Sequence, residues 1–334
     1  MRIVVDGMGG DYAPKNVVLG TIEALKESNG RFEVILTGDE AAIKKELSDA
    51  GASEGLPLTI HHTSQVISME DSPATAVKSK PDSSMVVGLG LCKQGVGQAF
   101  LSAGNTGAQM AASTFILGRL PGVLRPTISA FFPHPNGISI ILDVGANVDC
   151  KPEHLVQFAQ MGSIFISEME NVKSPKVGLL SVGEEDTKGN EVTKETNQLL
   201  KSTKNINFIG NIEGRDIFKG TADVMVCDGF VGNIILKMAE SIGHILGPRF
   251  KAEMKAMNLD EGQMKLVGGL LKQVMKPFDY EEVGGVPLLG LNGVSIIGHG
   301  GSSPKAIKNM IYEAEKMVNL KVNDRIQAAL SQSN

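Results

Sequence analysis

The sequence has 334 residues, 42% of them hydrophobic, with 39 glycines and a formal net charge of −5. This composition is typical of a compact α/β protein rather than a disordered chain, and the acidic balance disfavours a nucleic-acid partner. No signal-peptide pattern begins the chain and no apolar run could span a bilayer, which predicts a cytoplasmic location.

Short apolar segments alternate with amphipathic ones along the chain. The predicted strands are Arg2–Asp6, Phe32–Thr37, Leu58–His61, Ala99–Ser102, Thr127–Phe132, Ile138–Asp143, Lys176–Leu180, Asn207–Gly210, Val224–Cys227 and Gly293–Ile297. Helical patterns between them include Pro14–Ser28, Thr106–Arg119, Pro152–Asn171 and Pro304–Ala329. The alternation predicts a three-layer α/β/α fold in one continuous domain, 1–334, around a mostly parallel sheet.

One connection breaks the alternation. The segment from Pro133 to Gly137 is too short to hold a crossover helix, so the two strands around it are predicted to form an antiparallel hairpin. The sheet is therefore expected to be mixed.

The first loop, in "MRIVVDGMGGDYAP", has a composition typical of anion sites. Asp6, Gly7, Gly9 and Gly10 follow a strand and precede a helix that could begin at Pro14. Backbone N–H groups and a helix N-terminus both favour an anion. The spacing matches neither a P-loop nor the dinucleotide fingerprint, so nothing ties a bound phosphate to a nucleotide.

Similar loops follow other predicted strands. They are "SAGNTGA" (102–108), "LDVGAN" (142–147), "SVGEEDTKGNE" (181–191), "GNIEGRD" (210–216), "CDGFVGN" (227–233) and "GHGGSS" (298–303). Ligands of open α/β sheets bind beyond the carboxyl ends of the strands. We therefore expect these loops to gather at one edge of the sheet.

Two lysines in this region have alternative interpretations. Lys188 lies in a loop dense with acids, where it could reach an anionic substrate or simply balance charge. Lys237 follows Asn233 by one helical turn, so both can face the same way, or Lys237 can be surface charge. Both readings stay open.

Three further side chains are candidates. Asp143 and Asp228 each follow an apolar strand, where a carboxylate could orient an amide or a lysine, or cap a helix. His299, between two glycines, has no core to fill and is a candidate for the site.

The usual catalytic signatures are absent from the sequence. There is no Gly-x-Ser-x-Gly elbow and no His-Glu-x-x-His pair, so neither a hydrolase serine nor a metal site is predicted. Cys92, Cys150 and Cys227 lack a convincing histidine partner and are interpreted as small buried residues.

Residues 233–278 predict a pair of antiparallel helices. Apolar residues recur at spacings of three and four, Gly247-Pro248 is expected to interrupt the first helix, and seven Lys or Arg residues face four acids. Such a basic, amphipathic pair suits a dimer interface, an acidic partner or an anionic membrane surface.

Taken together, "VVDGMGGDYAP", "SAGNTGA", "LDVGAN", "GNIEGRD", "CDGFVGNIILK" and "GHGGSSPKAI" resemble the phosphate acyltransferase (PlsX) family across essentially the whole chain. The resemblance implies transfer of a long-chain acyl group from acyl carrier protein to inorganic phosphate. It also implies a homodimer with a fold similar to isocitrate and isopropylmalate dehydrogenases. Association with the inner face of the cell membrane, where a glycerol-phosphate acyltransferase uses the product, is implied as well. No cofactor or metal is expected.

For the reaction that the resemblance implies, we assign hypothetical roles to the candidate residues, which the family pattern does not itself supply. Lys188, with the Gly7–Gly10 and Gly298–Ser302 loops, is expected to cradle phosphate, Asn105, Asn147 or Asn233 to stabilise the oxyanion, and His299 to protonate the leaving thiolate. Residues expected to line the substrate site are Asp6, Gly7, Gly9, Gly10, Asn105, Thr106, Asp143, Asn147, Asp228, Gly229, Lys237, Gly300 and Ser302. Those expected to contact the carrier protein or the membrane are Arg249, Lys251, Lys255, Leu259, Lys265, Leu266, Leu270 and Lys272.

Three alternatives remain at this point. A decarboxylating dehydrogenase of similar architecture would need NAD and a divalent metal, and the missing dinucleotide fingerprint weighs against it. A phosphotransacetylase would use acetyl-coenzyme A, and a membrane-docking scaffold would show no phosphate-dependent loss of thioester.

Overall fold

The computed structural model describes residues 1–52, 55–257 and 259–331, with the backbone alone at 243, 244 and 280. Its strands are β1 (Arg2–Asp6), β2 (Glu33–Gly38), β3 (Leu58–His62), β4 (Ala99–Ser102), β5 (Thr127–His134), β6 (Gly137–Leu142), β7 (Lys176–Leu180), β8 (Asn207–Ile212), β9 (Val224–Val226), β10 (Gly285–Leu289) and β11 (Val294–Gly298). The helices are α1 (Lys15–Ser28), α2 (Glu40–Asp49), α3 (Pro73–Ser79), α4 (Ser84–Lys93), α5 (Thr106–Ile116), α6 (Pro152–Met169), α7 (Glu191–Ser202), α8 (Gly229–Ala256), α9 (Glu261–Met275), α10 (Tyr280–Val283), α11 (Pro304–Asn319) and α12 (Val322–Ser331).

All of these strands form one sheet in the order β3-β2-β1-β4-β11-β10-β5-β6-β9-β7-β8. Most pairings are parallel, and the antiparallel ones are β11 with β10, β10 with β5 and β5 with β6. The predicted mixed, mostly parallel sheet is thus confirmed, including the hairpin β5–β6.

The two halves of the sheet run in opposite directions. Strands β3, β2, β1, β4 and β11 are mutually parallel, and three antiparallel pairings separate them from β6, β9, β7 and β8. An odd number of reversals means that the carboxyl ends of these two groups lie at opposite edges. The expectation that all the glycine loops gather at one edge is therefore wrong.

Helices cover both faces of the sheet, as the three-layer prediction requires. One face packs against α1, α6, α11 and α12 in a continuous apolar core that includes Ile3, Leu101, Leu142 and Phe158. The opposite face packs against α4 and α5 in the first half of the sheet and against α8 in the second half. Burial of apolar area on two faces is the main stabilising contribution to such a fold.

Three element predictions need correction. The predictions omit β10, whose Pro287 and flanking glycines are more typical of a turn. The helix expected over Pro304–Ala329 is two helices, because Lys321 between them adopts a left-handed φ of 52°. The expected interruption at Gly247-Pro248 is also wrong, since α8 continues through Pro248 to Ala256.

Candidate functional site

The predicted site residues form two separate groups. We call the loops 6–11, 102–105 and 298–303, which follow β1, β4 and β11, the glycine edge. We call the loops 143–147, 181–190 and 227–233, which follow β6, β7 and β9, the lysine edge. The two groups lie at opposite edges of the sheet because the strands before them run in opposite directions. A single chain therefore does not bring both groups into one pocket.

At the glycine edge, the two loops predicted to form a phosphate cradle do meet. The Asp11 N–H donates to the Gly300 carbonyl at 2.8 Å. Ser102 Oγ donates to the buried Asp6 carboxylate at 2.7 Å, and a Cβ on Gly9 would lie 2.6 Å from the same hydroxyl. Only glycine fits at this position, so Gly9 is explained by close packing.

The N–H groups needed for a cradle are largely used inside this edge. The Met8 N–H donates to the Asp6 carboxylate at 3.1 Å, and the Gly9 N–H points to the Asp6 carbonyl at 3.4 Å. Burial raises the pKa of Asp6, while its hydrogen bonds to Ser84 and Ser102 act in the opposite direction. Because these N–H groups already donate within the protein and carboxylates lie nearby, this edge is a poor receptor for a multiply charged anion.

Asn105 is also committed to the protein. Its side-chain oxygen accepts from the Ala108 N–H at 3.0 Å and caps α5, which begins at Thr106. Its amide nitrogen donates to the carbonyls of Ser68, Met69 and Asp71, at 3.1, 3.2 and 3.1 Å. Its role here is to hold a neighbouring loop, so it has no N–H left for an oxyanion.

The loop after β11 is folded on itself. The main-chain N–H and Oγ of Ser302 both donate to the His299 carbonyl, at 2.9 and 2.6 Å. The Gly301 N–H donates to His299 Nδ1 at 3.1 Å, and the His299 side chain is exposed. His299 therefore lies at the glycine edge, away from Lys188 and Asn233.

At the lysine edge, Asp143 is a buried acceptor at the end of β6. Its carboxylate accepts from Thr127 Oγ1 at 3.1 Å, from the Ile128 N–H at 2.9 Å and from both the main chain and side chain of Asn147. Burial raises its pKa, and these donors oppose the shift. Asp143 thus fixes the 143–147 loop.

Asn147 and Asp228 complete the same arrangement. The Asn147 amide also donates to the Pro126 carbonyl at 2.8 Å, which leaves no free donor for an oxyanion. Asp228 caps α8 by accepting from the Val231 N–H at 2.8 Å, as its alternative reading predicts. The Gly229 N–H donates to the Asn147 carbonyl at 2.8 Å, so the loop and the start of α8 are joined.

Asn233 lies one turn into α8 with its side chain exposed. Its side chain borders Gly145, whose added Cβ would be 3.7 Å from Asn233 Oδ1. Lys237 follows on the same face, but its amine is paired with Glu240 at 2.8 Å. Asn233 is therefore a better candidate than Lys237 for contact with a ligand.

Lys188 is an exposed cation, and two of its acidic neighbours are paired with other residues. Glu184 pairs with Arg215 at 3.1 Å, and Asp186 pairs with Lys201. Within residues 1–52, 55–257 and 259–331, the Lys188 amine makes no ion pair. The side-chain stem lies against Gly183. The lysine can therefore meet an external anion without breaking an existing pair.

Apolar side chains are exposed at the same edge. Val182, beside the Lys188 loop, is 82% exposed, and Val148, Phe230 and Ile234 are also exposed. The sequence pattern does not reveal these exposed side chains, because one valine between a serine and a glycine makes no periodic pattern. Exposed apolar side chains at the same edge as a cation that makes no ion pair within the described part of the chain suit a ligand with an anionic end and an apolar end.

The basic helix pair consists of α8 and α9, and position 258 lies outside the described residues. No residue of α9 is buried, and Leu266 is 75% exposed. The predicted contact residues Arg249, Lys251, Lys255, Lys265, Leu270 and Lys272 are exposed as well, and Leu259 is half-buried. This pair thus presents both apolar and basic surface.

Cysteine and metal chemistry have little support. Burial raises the pKa of the Cys92 and Cys150 thiols to about 12, and raises that of Cys227 well above its usual value. Such thiols are poor nucleophiles at neutral pH.

The described residues contain no cluster of His, Cys, Asp and Glu able to hold a metal ion. Nor does any helix among them have the length and apolarity required to traverse a bilayer.

Comparisons with known proteins extend this picture. A family model described as "Fatty acid synthesis protein" matches residues 1–325. The chain is 56% identical to a protein named phosphate acyltransferase from Chlorobaculum parvum, over 99% of both chains. It is 52% identical to a protein of the same name from Chlorobaculum tepidum, over 97% of this chain and 100% of the relative.

Solved structures of low sequence identity share the fold. A phosphotransacetylase from Streptococcus pyogenes matches with a TM-score of 0.64 and 17% identity, over 95% of this chain and 94% of the other. A branched-chain phosphotransacylase from Enterococcus faecalis matches with a TM-score of 0.61 and 15% identity, over 95% and 99%. At these identities the likeness shows the fold alone.

Proposed function

The chain belongs to the phosphate acyltransferase (PlsX) family and is an acyltransferase; from this premise we propose that it transfers a long-chain acyl group from acyl carrier protein to inorganic phosphate. The product would be an acyl phosphate for phosphatidic acid and phospholipid synthesis. One observation carries the choice of site: the Lys188 amine, which makes no ion pair among the residues that the structure describes, is at the same edge of the sheet as exposed apolar side chains.

In the proposed reaction, phosphate attacks the thioester directly. A phosphate oxygen forms a bond to the acyl carbon, the carbon–sulfur bond breaks, and the carrier thiolate leaves. Phosphate is already an oxyanion, so no side-chain nucleophile is required, in keeping with the high pKa values of the cysteines. A thiol has a pKa of about 8.5, so the thiolate can leave without being protonated first. His299 therefore has no assigned role in this mechanism.

The residues of the lysine edge would then act by positioning and electrostatics. Lys188 would bind phosphate and Asn233 would donate to the oxyanion that develops on the carbonyl. Holding phosphate at attack distance can supply about 7–11 kcal/mol. One oxyanion donor is typically worth about 3–4 kcal/mol. The apolar side chains of Val182, Phe230 and Ile234 would cover the acyl chain near the thioester and exclude water, because water would hydrolyse the product.

The basic helix pair is the proposed docking surface. Acyl carrier protein is acidic, and the exposed lysines of α9 offer a complementary charge. The exposed Leu266 and Leu270 between those lysines also suit the surface of an anionic membrane. There the product would pass to a membrane glycerol-phosphate acyltransferase.

A homodimer is proposed from the exposed face of α8. Met238, Ile242 and Ile245 are exposed there at helical spacing. A row of large apolar side chains on one face of a helix is typical of a subunit interface. Separately, we propose that the protein is cytoplasmic and bound peripherally to the inner face of the membrane.

The test is a comparison of two thioester donors with labelled orthophosphate. Palmitoyl carrier protein should give labelled acyl phosphate, from which hydroxylamine releases the labelled phosphate, and acetyl-coenzyme A should react far more slowly. A preference for acetyl-coenzyme A would assign the chain a phosphotransacetylase activity instead. Loss of thioester that is independent of phosphate would contradict the proposal.

A further inference from the structure

Two buried asparagines lie behind the loop that carries Lys188. Asn197 is on α7 and has no exposed surface, and Asn211 is on β8 with 6% exposed. Neither residue belongs to the set that the sequence analysis assigns to the site. Their surroundings, a helix packed against a strand, are normally filled by apolar side chains.

The two amides form a chain of hydrogen bonds that ends at the lysine loop. Asn197 Nδ2 donates to Asn211 Oδ1 at 2.9 Å, and Asn211 Nδ2 donates to the Glu185 carbonyl at 2.9 Å. The same carbonyl accepts from the Lys188 N–H at 2.9 Å. The Asn211 side chain and the Lys188 main chain therefore donate to the same carbonyl oxygen, that of Glu185.

This arrangement is not the most stable way to fill the space. Asn197 Oδ1 is buried without a hydrogen-bond partner within the described residues. A buried, unsatisfied polar atom destabilises the folded state, whereas leucine, of similar shape, would pack without that cost. Packing alone therefore does not explain a buried amide pair at this place.

We propose that Asn211, held by Asn197, is a positioning residue that sets the backbone of residues 185–188 so that the Lys188 amine faces phosphate. The inference rests on the proposed function of Lys188. Two ion pairs support this arrangement. Arg215 binds the Glu184 carboxylate and Lys201 binds the Asp186 carboxylate, so the Lys188 amine is left for the substrate.

The first test replaces Asn211 by leucine. Asn211→Leu keeps the number and branching of the side-chain heavy atoms and removes the donor to Glu185, so the KM for phosphate should rise about fivefold, the equivalent of one hydrogen bond, with kcat little changed. Asn323→Leu is the matched control, since Asn323, like Asn211, donates its side-chain amide to a main-chain carbonyl, that of Leu291 at 3.0 Å. It should lower thermal stability similarly and leave the KM unchanged.

A double-variant cycle with Lys188→Ala separates positioning from general destabilisation. If Asn211 acts through the lysine, adding Asn211→Leu to Lys188→Ala should change the KM for phosphate by less than about twofold. An equal effect in both backgrounds, or an unchanged KM in Asn211→Leu, would overturn the inference alone. An unchanged KM in Lys188→Ala would overturn the lysine assignment in the proposed function and this inference with it.

A milder variant keeps the test decisive if Asn211→Leu does not fold. Asn197→Leu leaves Asn211 able to donate but removes the group that fixes its orientation. The KM for phosphate should rise about twofold, less than for the loss of a whole hydrogen bond. A KM equal to that of the unmodified protein would contradict the proposed role.

Discussion

Asp143 accepts two hydrogen bonds from Asn147, one from its main-chain N–H and one, at 3.1 Å, from its side-chain amide. This pair closes the loop after β6 and presents the Asn147 carbonyl to the Gly229 N–H at the start of α8. The position of Asn233 therefore depends on a buried carboxylate that does not itself face solvent.

The first prediction concerns Asp143. Each Asp143 carboxylate oxygen accepts from a main-chain N–H, that of Ile128 or that of Asn147. Asp143→Asn therefore places an amide N–H against a donor, and we expect the free energy of unfolding to fall by about 2–3 kcal/mol. Chemical denaturation measures this change. Asp149→Asn, an exposed substitution in the same loop region, is the control and should change stability by less than about 0.5 kcal/mol. Equal effects of the two variants would show that the hydrogen bonds to Asp143 contribute little.

The second prediction concerns the contact between α8 and this loop. A Cβ on Gly232 would lie 1.9 Å from the Asp143 carbonyl oxygen, so Gly232→Ala must push the helix away. We expect a lower melting temperature and a lower kcat, because Asn233 moves with the helix. Gly268→Ala in α9 has open space around its Cβ and should be neutral or slightly stabilising. A Gly232→Ala variant with full activity would remove Asn233 from the mechanism.

The third prediction separates the two proposed catalytic residues. Lys188→Ala should raise the KM for phosphate at least about tenfold, since a charge-assisted contact is worth about 1.5–3 kcal/mol. Asn233→Ala should mainly lower kcat, by about 100-fold or more, if its amide meets the oxyanion. Steady-state kinetics at varied phosphate measures both. Lys194→Ala, an exposed lysine on the neighbouring α7, should retain wild-type kinetics, and wild-type values in all three variants would refute the assignment.

The fourth prediction tests docking of the carrier protein. Charge reversal at Lys265 and Lys272 should raise the KM for acyl carrier protein and leave the KM for phosphate unchanged. Added salt should weaken the wild-type interaction, because the Debye length falls to about 3 Å at 1 M ionic strength. If the double variant binds the carrier as well as the wild type does at low salt, the helix pair is not the docking surface.

The fifth prediction concerns pH and stability. Burial raises the pKa of Glu313 from 4.5 to about 7, with Glu170 adding to the shift and Lys316 opposing it. Between these two pKa values the native state holds the proton more tightly than the unfolded chain. The free energy of unfolding should therefore fall by about 1–3 kcal/mol as the pH rises through this range. Denaturation of wild type and Glu313→Gln at several pH values checks this, and a constant difference between them would contradict it.

Much of the fold can be predicted from local pattern. Alternating apolar and amphipathic runs identify most strands, and the short Pro133–Gly137 connection identifies the β5–β6 hairpin. The order of strands in the sheet is not local information. The pattern shows that β6 reverses the chain but not that β9 and β7 continue the sheet from β6. The sequence therefore does not predict that the three antiparallel pairings place the two groups of loops at opposite edges of the sheet.

The candidate site is predictable to a similar extent. Spacing indicates that Asp228 can cap α8, because a cap is formed within a few residues. The commitment of the Asn105 amide to three carbonyls of residues 68–71 depends on a distant segment, so no spacing reveals it. The same holds for the ion pairs that leave the Lys188 amine available, since Arg215 and Lys201 come from other elements.

The most direct test of the central claim is a single-turnover measurement with long-chain acyl carrier protein and excess enzyme, with phosphate either present or omitted. Attack by free phosphate predicts thiol release and acyl phosphate formation only when phosphate is present, with an unmodified protein mass throughout. Stoichiometric thiol release without phosphate, together with an acylated protein in the intact mass spectrum, would contradict it.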